Sequence, residues 1–478
     1  MEEGSSEYTL DEALSRLGFG TFQVYALLFS GIGYFSDAME MSLLSFIGPA
    51  LKSEWSLTPI QESLITTVVF VGMLCGAVFW GLIADSFGRK TGIQIVSLIV
   101  FGAGLLSSFS PNYVSLLIFR LILGFGASGG HVFVSWFLEF VPRSNRGAWM
   151  LGMSTSWILG EVLETLLAWL IMPRFGWRLL LIVSSLPSFT VLILSGFAPE
   201  SPRYLFMKGR RHEATTALEK VAQINRKQLP AGTLVSDDPK QLEVAESSVS
   251  EETDLLSLRG RNFGLRKWLQ DAHQLVSSDL LRTTLLLWAL DFSYTFIYYG
   301  IQLMISSLSS GQGDCASSSS KSDDDVDALY VTTLVTCLAE LPGLVLAALL
   351  VDRFGRKICM ETVSLLTVVA ILPLLWPQTG TATSLLLITA RMFNSAAFST
   401  LVVYSEEVYP TCVRGTGAGV MSGVGRFGGI LCPIVAVGLV RGCHLTAAVG
   451  LFGSLIVLSG ACVMLFPFET KGKDLFDT

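Results

Sequence analysis

Long apolar runs alternate with short polar stretches along this chain. Twelve runs hold about 20 or more mostly apolar residues, which is the length that an α-helix needs to cross the bilayer core. The pattern therefore predicts an all-α membrane protein with twelve transmembrane helices, called spans 1 to 12 in chain order. The runs lie near 22–48, 60–83, 91–110, 113–140, 147–172, 177–197, 283–308, 328–351, 358–377, 383–408, 415–440 and 444–467.

Two longer polar regions interrupt this pattern. The first contains KGRRHEATTALEK, predicted to be a short solvated helix, and VSDDPKQLEVAESSVSEETD, predicted to be disordered. The second, SSLSSGQGDCASSSSKSDDDVD, is predicted to be a mobile loop between spans 7 and 8. The pattern divides the chain into an N-terminal segment (1–21), a six-helix bundle (22–197), a linker (198–282), a second six-helix bundle (283–467) and a tail (468–478).

Composition supports a membrane setting. The chain is 51% hydrophobic and 15% charged, whereas soluble domains carry about 25% charged residues. The acidic N-terminus, MEEGSSEYTLDEALSRLGFG, has no basic region followed by an apolar core, so we expect span 1 to direct insertion without a cleaved signal peptide.

Basic residues indicate the orientation. They concentrate in the loops after spans 2, 4, 8 and 10 and in the linker, which predicts that these loops and both termini are cytoplasmic. The formal net charge of −7 carries less weight, because the local placement of Lys and Arg decides topology. We expect a monomer in the lipid bilayer, in the plasma membrane rather than an internal one.

Several kinds of chemistry find no support in the sequence. The eight Cys residues form no CxxC pair and no Cys/His spacing typical of a metal site. Spacing alone leaves open whether Cys315 and Cys443, in predicted outer loops, form a disulfide. No GxxxxGK[ST] phosphate loop and no nucleophile–base pair occurs. We therefore predict no enzyme activity, no metal or other cofactor and no nucleic-acid partner.

An internal repeat divides the spans into two sets of six. DSFGRK at 85–90 returns as DRFGRK at 352–357, and EFVPRSNRG returns as EVYPTCVRG at nearly the same offset. PESPR at 199–203 and PFETKG at 467–472 each follow a sixth span. The repeat predicts two six-helix pseudo-repeats that flank a central site.

Acidic and basic residues recur at matched positions of this repeat. We predict that they form a gate network, which holds the halves together at the cytoplasmic side when the site faces outward. The alternative is that the basic residues only direct insertion. The predicted gate residues are Asp85, Arg89, Glu139 and Arg146 in the first half and Asp352, Arg356, Glu407 and Arg414 in the second.

These motifs resemble a known superfamily. GLIADSFGRK is similar to the loop 2–3 signature of the major facilitator superfamily, RLILGFGASGG to its fourth-helix motif, and PESPR to the sugar- and organic-ion-porter signature. DEALSRLGFGTFQ and GYFSDAMEMSLLSFIGPALKSEW resemble the branch that holds nicotinate transporters, synaptic vesicle two-related proteins and plant organic cation/carnitine transporters, the last most closely. The resemblance implies the major facilitator fold and secondary transport of small organic ions such as nicotinate, its N-methyl betaine trigonelline, or carnitine.

The sequence departs from animal organic cation transporters at two points. Only residues 48–59 separate spans 1 and 2, where those proteins carry a large loop. GRFGGILCPIVAV has no acid after Arg426, where those proteins carry one. These departures argue against specificity for a simple organic cation.

Charged side chains inside the spans are costly and are therefore candidates for function. In the fold that the resemblance implies, spans 1, 4, 7 and 10 line the cavity. Asp37 and Glu40 best suit a proton or cation role, and the planar fork of Arg426 suits a substrate carboxylate. The predicted substrate-binding residues are Asp37, Glu40, Arg120, Glu161, Glu164, Asp291, Tyr294, Tyr298, Gln302, Asn394 and Arg426.

Plainer interpretations stay open for some of these positions. Arg120 also suits a permanent structural ion pair. Glu340 also suits a hydrogen bond to the backbone groups that the kink at Pro342 leaves unpaired. The leading hypothesis is a proton-coupled symporter of a small organic ion. A sugar porter is the alternative, although span 5 offers Glu161 and Glu164 where sugar sites use Gln and Asn. A non-transporting receptor or scaffold is a further alternative, against which the charges recurring in both halves argue.

Overall fold

We describe the protein from a computed structural model. It describes residues 7–142, 146–235, 273–277, 280–309, 323–376, 378–409, 414–441, 445–467 and 469–470. Cys315, Cys443 and almost all of the predicted disordered stretch lie outside these residues. Residues 310–322 of the predicted mobile loop also lie outside them, whereas the two ends of that loop belong to the helices Leu281–Ser309 and Asp323–Phe354. Each predicted span corresponds to a helix. The helices are Thr21–Trp55, Pro59–Phe87, Arg89–Ser108, Tyr113–Ala127 with Gly130–Leu138, Arg146–Ser195 (spans 5 and 6), Leu281–Ser309, Asp323–Phe354, Arg356–Ile371 with the 3-10 turn Leu372–Leu375, Gly380–Val408, Arg414–Arg441 and Leu445–Met464.

Spans 5 and 6 form one helical run with a break at Gly176. Its φ of 77° and ψ of 177° lie in a region that favours glycine, because a Cβ would clash with the backbone there. The break divides a run of 50 residues into two antiparallel spans.

Nine helical stretches in the described part of the chain are long and apolar enough to cross a membrane, and one of them contains both span 5 and span 6. The helices of spans 1 and 7 fall outside this set, and they carry Asp37, Glu40 and Asp291 in their middle parts. The all-helical architecture predicted from the sequence is confirmed. Both spans outside the set therefore carry candidate substrate residues.

The turns Phe87–Lys90 and Phe354–Lys357 lie at the same end of the bundle, which we call the motif end. Each half has its own buried core, around Trp80, Trp136 and Phe140 in the first half and Tyr404 and Tyr409 in the second. The halves meet where span 2 packs against span 11 and span 5 against span 8.

A small subdomain covers the motif end of the first half. Its N-terminal helix, Leu10–Leu17, begins at a capping box in which Thr9 and Glu12 each bond the other's backbone N–H. The strand Glu7–Thr9 pairs in parallel with Thr233–Val235. The N-terminal segment and the start of the linker therefore fold together.

The linker helix, Arg211–Asn225, is only partly solvated, contrary to the sequence-based prediction. Ala214, Ala217, Leu218 and Val221 are buried at the i, i+3, i+4 and i+7 positions of one face. The N-terminal helix, which buries its own face at the same spacing, packs against it.

Asn225 joins this subdomain to the membrane helices. Its Oδ1 accepts from the backbone N–H of Phe22 at 2.8 Å, and its Nδ2 donates to Gln23 Oε1 at 2.8 Å. Gln23 Nε2 in turn donates to the carbonyl of Phe140, at the end of span 4, at 3.2 Å. One side chain thus satisfies a free N–H in the first turn of span 1 and positions the residue that reaches span 4.

We predict that Asn225→Ala lowers the free energy of unfolding by about 1–3 kcal/mol, because the part-buried N–H of Phe22 loses its acceptor. Thermal unfolding of the purified protein in detergent measures the change. His212→Ala, at an exposed position of the same helix, is the control and should change stability by about 0.5 kcal/mol or less. Equal effects of the two variants would contradict the role of Asn225.

Candidate functional site

Three arginines in the spans each lie among two acids. We name the sets after the arginine: the Arg426 cluster (Asp37, Asp291, Arg426), the Arg391 cluster (Glu161, Glu340, Arg391) and the Arg120 cluster (Glu40, Glu164, Arg120). All six carboxyl residues are at most 4% exposed. Because burial without compensation is costly, each arginine offsets part of the charge of its acids.

The Arg426 cluster joins spans 1, 7 and 11. Arg426 is partly buried and interacts electrostatically with Asp37, Asp291, Tyr34 and Tyr299. Arg426 Nε and Asp37 Oδ2 are buried and have no hydrogen-bond partner among the described residues. This cluster therefore keeps a donor and an acceptor available for a ligand.

Asp291 is fixed against span 11. The backbone N–H of Gly425 donates to its carboxylate, and a Cβ at position 425 would overlap Asp291 Oδ2. Glycine is required there because the backbone of span 11 approaches the acid so closely. Asp291 consequently lies beside Arg426 with little freedom to turn away.

The Arg391 cluster crosses between the halves. Arg391 Nη2 donates to Glu161 Oε2 of span 5 at 2.9 Å, and Arg391 Nε donates to Glu340 Oε1 of span 8 at 2.6 Å. The hydroxyl of Tyr298 lies 2.9 Å from Glu161 Oε1 and 3.1 Å from Glu340 Oε1. Ser395 Oγ donates to Glu340 Oε2 at 2.9 Å. Every carboxylate oxygen of this cluster therefore has a donor within reach.

The tyrosine of this cluster has further contacts. Arg391 Cζ lies 4.5 Å from the centre of the Tyr298 ring, a cation–π distance. Trp157 Nε1 of span 5 donates to the Tyr298 hydroxyl at 3.3 Å. Tyr298 is thereby a second link between span 5 and the second half.

The Arg120 cluster lies within the first half. Arg120 Nη1 donates to Glu40 Oε2 at 3.0 Å, and both side chains are sealed at 0% and 1% exposure. Glu164 accepts from the hydroxyl of Ser184, whose oxygen lies 2.8 and 3.0 Å from its two carboxyl oxygens. Arg120 Nε and Nη2 have no hydrogen-bond partner among the described residues. The Glu40–Arg120 contact is the pairing expected of a structural bridge.

The remaining predicted substrate residues are divided. Both amide atoms of Gln302 in span 7 are buried and without a hydrogen-bond partner in the described part of the chain. Asn394 Nδ2 instead donates to the carbonyl of Tyr294 at 3.3 Å, and the Tyr294 hydroxyl lies 3.0 Å from Ser364 Oγ. Gln302 is therefore available to a ligand, whereas Asn394 and Tyr294 bond within the second half.

At the motif end, the same ion pair occurs in each half. Arg89 Nε donates to Glu139 Oε1 at 3.0 Å, and Arg356 Nη2 donates to Glu407 Oε1 at 2.5 Å. Each pair joins helices of one half and does not connect the halves. The side chains of the other predicted gate residues, Asp85, Arg146, Asp352 and Arg414, lie outside what the structure describes.

Two further acids cap helices at matched positions. Glu200 accepts from the backbone N–H of Lys90 at 3.1 Å, and Glu469 accepts from the N–H groups of Arg356 and Lys357 at 2.9 Å. The preceding glycines, Gly88 and Gly355, have φ values of 104° and 98°. A Cβ at either glycine would overlap the capping glutamate. The repeated FGRK turn thus lets a carboxylate reach the positive end of spans 3 and 9.

Away from the motif end, aromatic contacts join the halves. The ring centres of Phe46 and Tyr330 lie 5.6 Å apart, and those of Phe70 and Tyr299 lie 4.7 Å apart. Phe46 and Tyr330 belong to the parts of spans 1 and 8 that lie towards the opposite end of the bundle. These aromatic contacts therefore join the halves in the middle of the bundle and at the end opposite the motif end.

Part of the Arg391 cluster does not follow from the sequence. The predicted substrate residues do not include Arg391 or Ser395, and the sequence favours Glu340 as a partner of backbone groups near Pro342. Its side-chain partners are instead Arg391, Tyr298 and Ser395. The available signal was that Arg391 follows Arg120 by 271 positions, close to the repeat offset.

A separate groove of about 670 Å³ lies between spans 1, 5 and 6. Its lining is largely apolar and includes Leu27, Phe35, Leu159 and Leu163, and none of the predicted substrate residues lines it. A groove with this apolar lining offers no charged group to hold an ion.

Comparisons with known proteins identify relatives along the whole chain. Residues 31–478 match the family described as sugar (and other) transporter. The chain is 46% identical to organic cation/carnitine transporter 7 of Arabidopsis thaliana, covering 100% of this chain and 98% of that protein. It is 34% identical to the synaptic vesicle 2-related protein of Bos taurus (98% and 82% covered) and 33% identical to the niacin transporter NiaP of Acinetobacter baylyi (97% and 98% covered).

The fold also matches solved structures. The proton:xylose symporter XylE bound to 6-bromo-6-deoxy-D-glucose, a major facilitator superfamily protein, has a TM-score of 0.70 to this chain over 96% of it and 98% of XylE. The sequences are 18% identical, so this likeness concerns the fold alone. Because the family match begins at residue 31 and reaches the last residue, and relatives above 30% identity are covered over most of their length, this chain belongs to the sugar (and other) transporter family of the major facilitator superfamily, whose members are multi-pass membrane transporters.

Proposed function

We propose that this protein is a proton-coupled secondary transporter of small organic ions of the nicotinate, trigonelline or carnitine kind, working by alternating access. The observation that carries the proposal is the Arg426 cluster. It presents an unpaired guanidinium N–H and an unpaired carboxylate oxygen, and its residues come from both halves. The names of the Arabidopsis and Acinetobacter relatives support the same substrate class.

The charges of the Arg426 cluster favour a substrate with both a carboxylate and a positive group. Arg426 suits the carboxylate because its planar fork can donate two parallel hydrogen bonds. Asp37 suits the positive group, and the nearby rings of Tyr34, Trp157 and Tyr299 suit a quaternary or aromatic nitrogen through cation–π contacts. Because Glu40 is engaged by Arg120, we assign the cation role to Asp37 alone.

Charge balance supports proton coupling. Each of the three clusters contains two carboxyl groups and one guanidinium, so each carries a surplus negative charge when all groups are ionised. A surplus carboxylate in the low-dielectric interior binds either a proton or a cationic substrate. The interior of the bundle therefore contains carboxylates to which protons can bind when a proton gradient drives transport.

The contacts between the halves support alternating access. Aromatic contacts join the halves in the middle and at the end opposite the motif end, whereas the Arg89–Glu139 and Arg356–Glu407 ion pairs at the motif end each stay within one half. We propose that this arrangement is the state that opens at the motif end, and that the predicted gate residues join the halves in the other state. The basic residues around the motif end support a cytoplasmic location for it. We likewise propose a monomer with both termini cytoplasmic, in the plasma membrane.

Gln302 favours a second candidate function, sugar transport. Its buried amide offers an unpaired donor and acceptor, the groups that hydroxyls of a neutral substrate require. This alternative leaves Arg426 and Asp37 without a charged ligand, so we rank it below organic-ion transport.

We predict that proteoliposomes accumulate at least one of nicotinate, trigonelline and carnitine, and that an inward proton gradient increases its uptake. Glucose serves as the test of the alternative, and protein-free liposomes as the control. Uptake of labelled compounds measures the outcome. Equal, gradient-insensitive counts for all four compounds would contradict coupled transport.

We predict that Arg426→Lys raises the apparent KM for carboxylate substrates about tenfold or more, because a lysine keeps the charge but loses the bidentate fork. Concentration-dependent uptake measures KM. Arg178→Lys is the matched control, since Arg178 is 47% exposed and pairs with Glu54 at the rim of span 6. An unchanged KM in Arg426→Lys would show that the guanidinium does not hold the substrate.

A further inference from the structure

Of the three clusters, the Arg391 cluster alone has its ion pairs in both halves at once. Glu161 belongs to span 5 of the first half, whereas Glu340 and Arg391 belong to spans 8 and 10 of the second. Separating the halves around this point must break the Glu161–Arg391 pair. The Glu340–Arg391 pair lies within one half and can survive that separation.

This cluster has no room for a substrate. All four carboxylate oxygens of Glu161 and Glu340 have donors at 2.6–3.1 Å, and the side chains of Glu161, Glu340 and Arg391 are 1–2% exposed. Glu161, predicted from the sequence to bind substrate, is therefore occupied by protein groups. The carboxylates of the Arg391 cluster are thus fully bonded, whereas the Arg426 cluster keeps polar atoms without a hydrogen-bond partner among the described residues.

The cluster has fewer hydroxyl protons and positive charges than its two carboxylates can accept. The Tyr298 hydroxyl has one proton for two acceptors, Glu161 Oε1 and Glu340 Oε1, which lie on either side of it. One guanidinium faces two carboxyl groups. The groups that face Glu161 from the packed helices are Tyr298 and Tyr299 of span 7, Cys337 and Glu340 of span 8 and Arg391 of span 10. Arg391 is the one positive group among them.

We propose that Glu161 is the proton-binding residue that couples the proton gradient to separation of the halves, and that it does not bind substrate. The inference rests on the proposed function, since it names the group through which a transporter of this kind uses protons. With Glu161 ionised, its bond to Arg391 holds the halves together. When the end opposite the motif end opens, Glu161 leaves Arg391 and takes a proton from the water there. When that end closes, Arg391 returns to the carboxylate and the proton leaves towards the motif end.

Glu161→Gln mimics the protonated state at nearly the same size, and Glu340→Gln is the matched control because it removes the other carboxyl of the same cluster. Spin labels at Ser53→Cys and Thr381→Cys report separation at the end opposite the motif end, since both positions are exposed near that end of spans 1 and 10. The labels are placed in a background in which all eight native cysteines, including the exposed Cys75, are replaced by serine or alanine. The distance between the labels is measured at pH 8 and at pH 5.

We expect the separated population of the parent protein to rise about tenfold on acidification, because protonation removes a charge-assisted hydrogen bond. Glu161→Gln should be separated at both pH values, with no response to pH. Glu340→Gln should keep the response, because Glu161 can still pair with Arg391. A normal pH response in Glu161→Gln, or its equal loss in both variants, overturns the proposal.

A second variant covers the case in which Glu161→Gln does not fold. Glu161→Asp keeps a titratable carboxyl on a shorter side chain, and we expect it to retain the pH response with a shifted midpoint. A response with an unchanged midpoint would place the titrating group elsewhere and overturn the proposal. These measurements need no substrate, so their failure is distinct from a failure of the uptake assay, which tests the proposed function.

Discussion

A charge buried inside a membrane-spanning bundle must be neutralised by an opposite charge or by gain or loss of a proton. This constraint determines much of the interior of this protein, because Arg120 and Arg391 are both almost completely buried. Arg120 is paired by Glu40 of its own half, so it stabilises that half whatever the other half does. Arg391 is paired from both halves, so its environment changes when they move apart. The location of the acids decides which arginine is structural and which responds to motion.

The two halves repeat one another at the motif end and differ in the interior. The FGRK turns, the Arg–Glu pairs and the capping glutamates Glu200 and Glu469 recur at matched residues. In the interior, the position of Glu340 corresponds at an offset of 267 to Met73, a buried apolar residue of span 2. The shared features shape and anchor the helices, whereas the differences between the halves create the asymmetric charges on which transport of an ion depends.

The sequence predicts the spans, the repeat and the Arg89–Glu139 and Arg356–Glu407 residue pairs as members of one network, because these follow from apolar length and from a constant offset. It does not predict which partner an interior charge takes. Glu161 and Glu164 lie three residues apart on one helical face, yet one bonds Arg391 across the halves and the other bonds Ser184 within the first half. A difference of less than one turn of helix is enough to face two different neighbours, and only tertiary packing decides between them.

The paired strands at the N-terminus shorten the tether between the two halves. The apolar pattern places that tether at residues 198–282, but Val235 is held against Thr9 and the chain before it is packed on the first half. Leu275 is buried in the core of the second half, so the segment between the two packed parts is 236–272, fewer than half as many residues. A shorter tether keeps the second half at a higher effective concentration near the first. The N-terminal residues belong to none of the charged clusters, yet they help to hold the two halves close to each other.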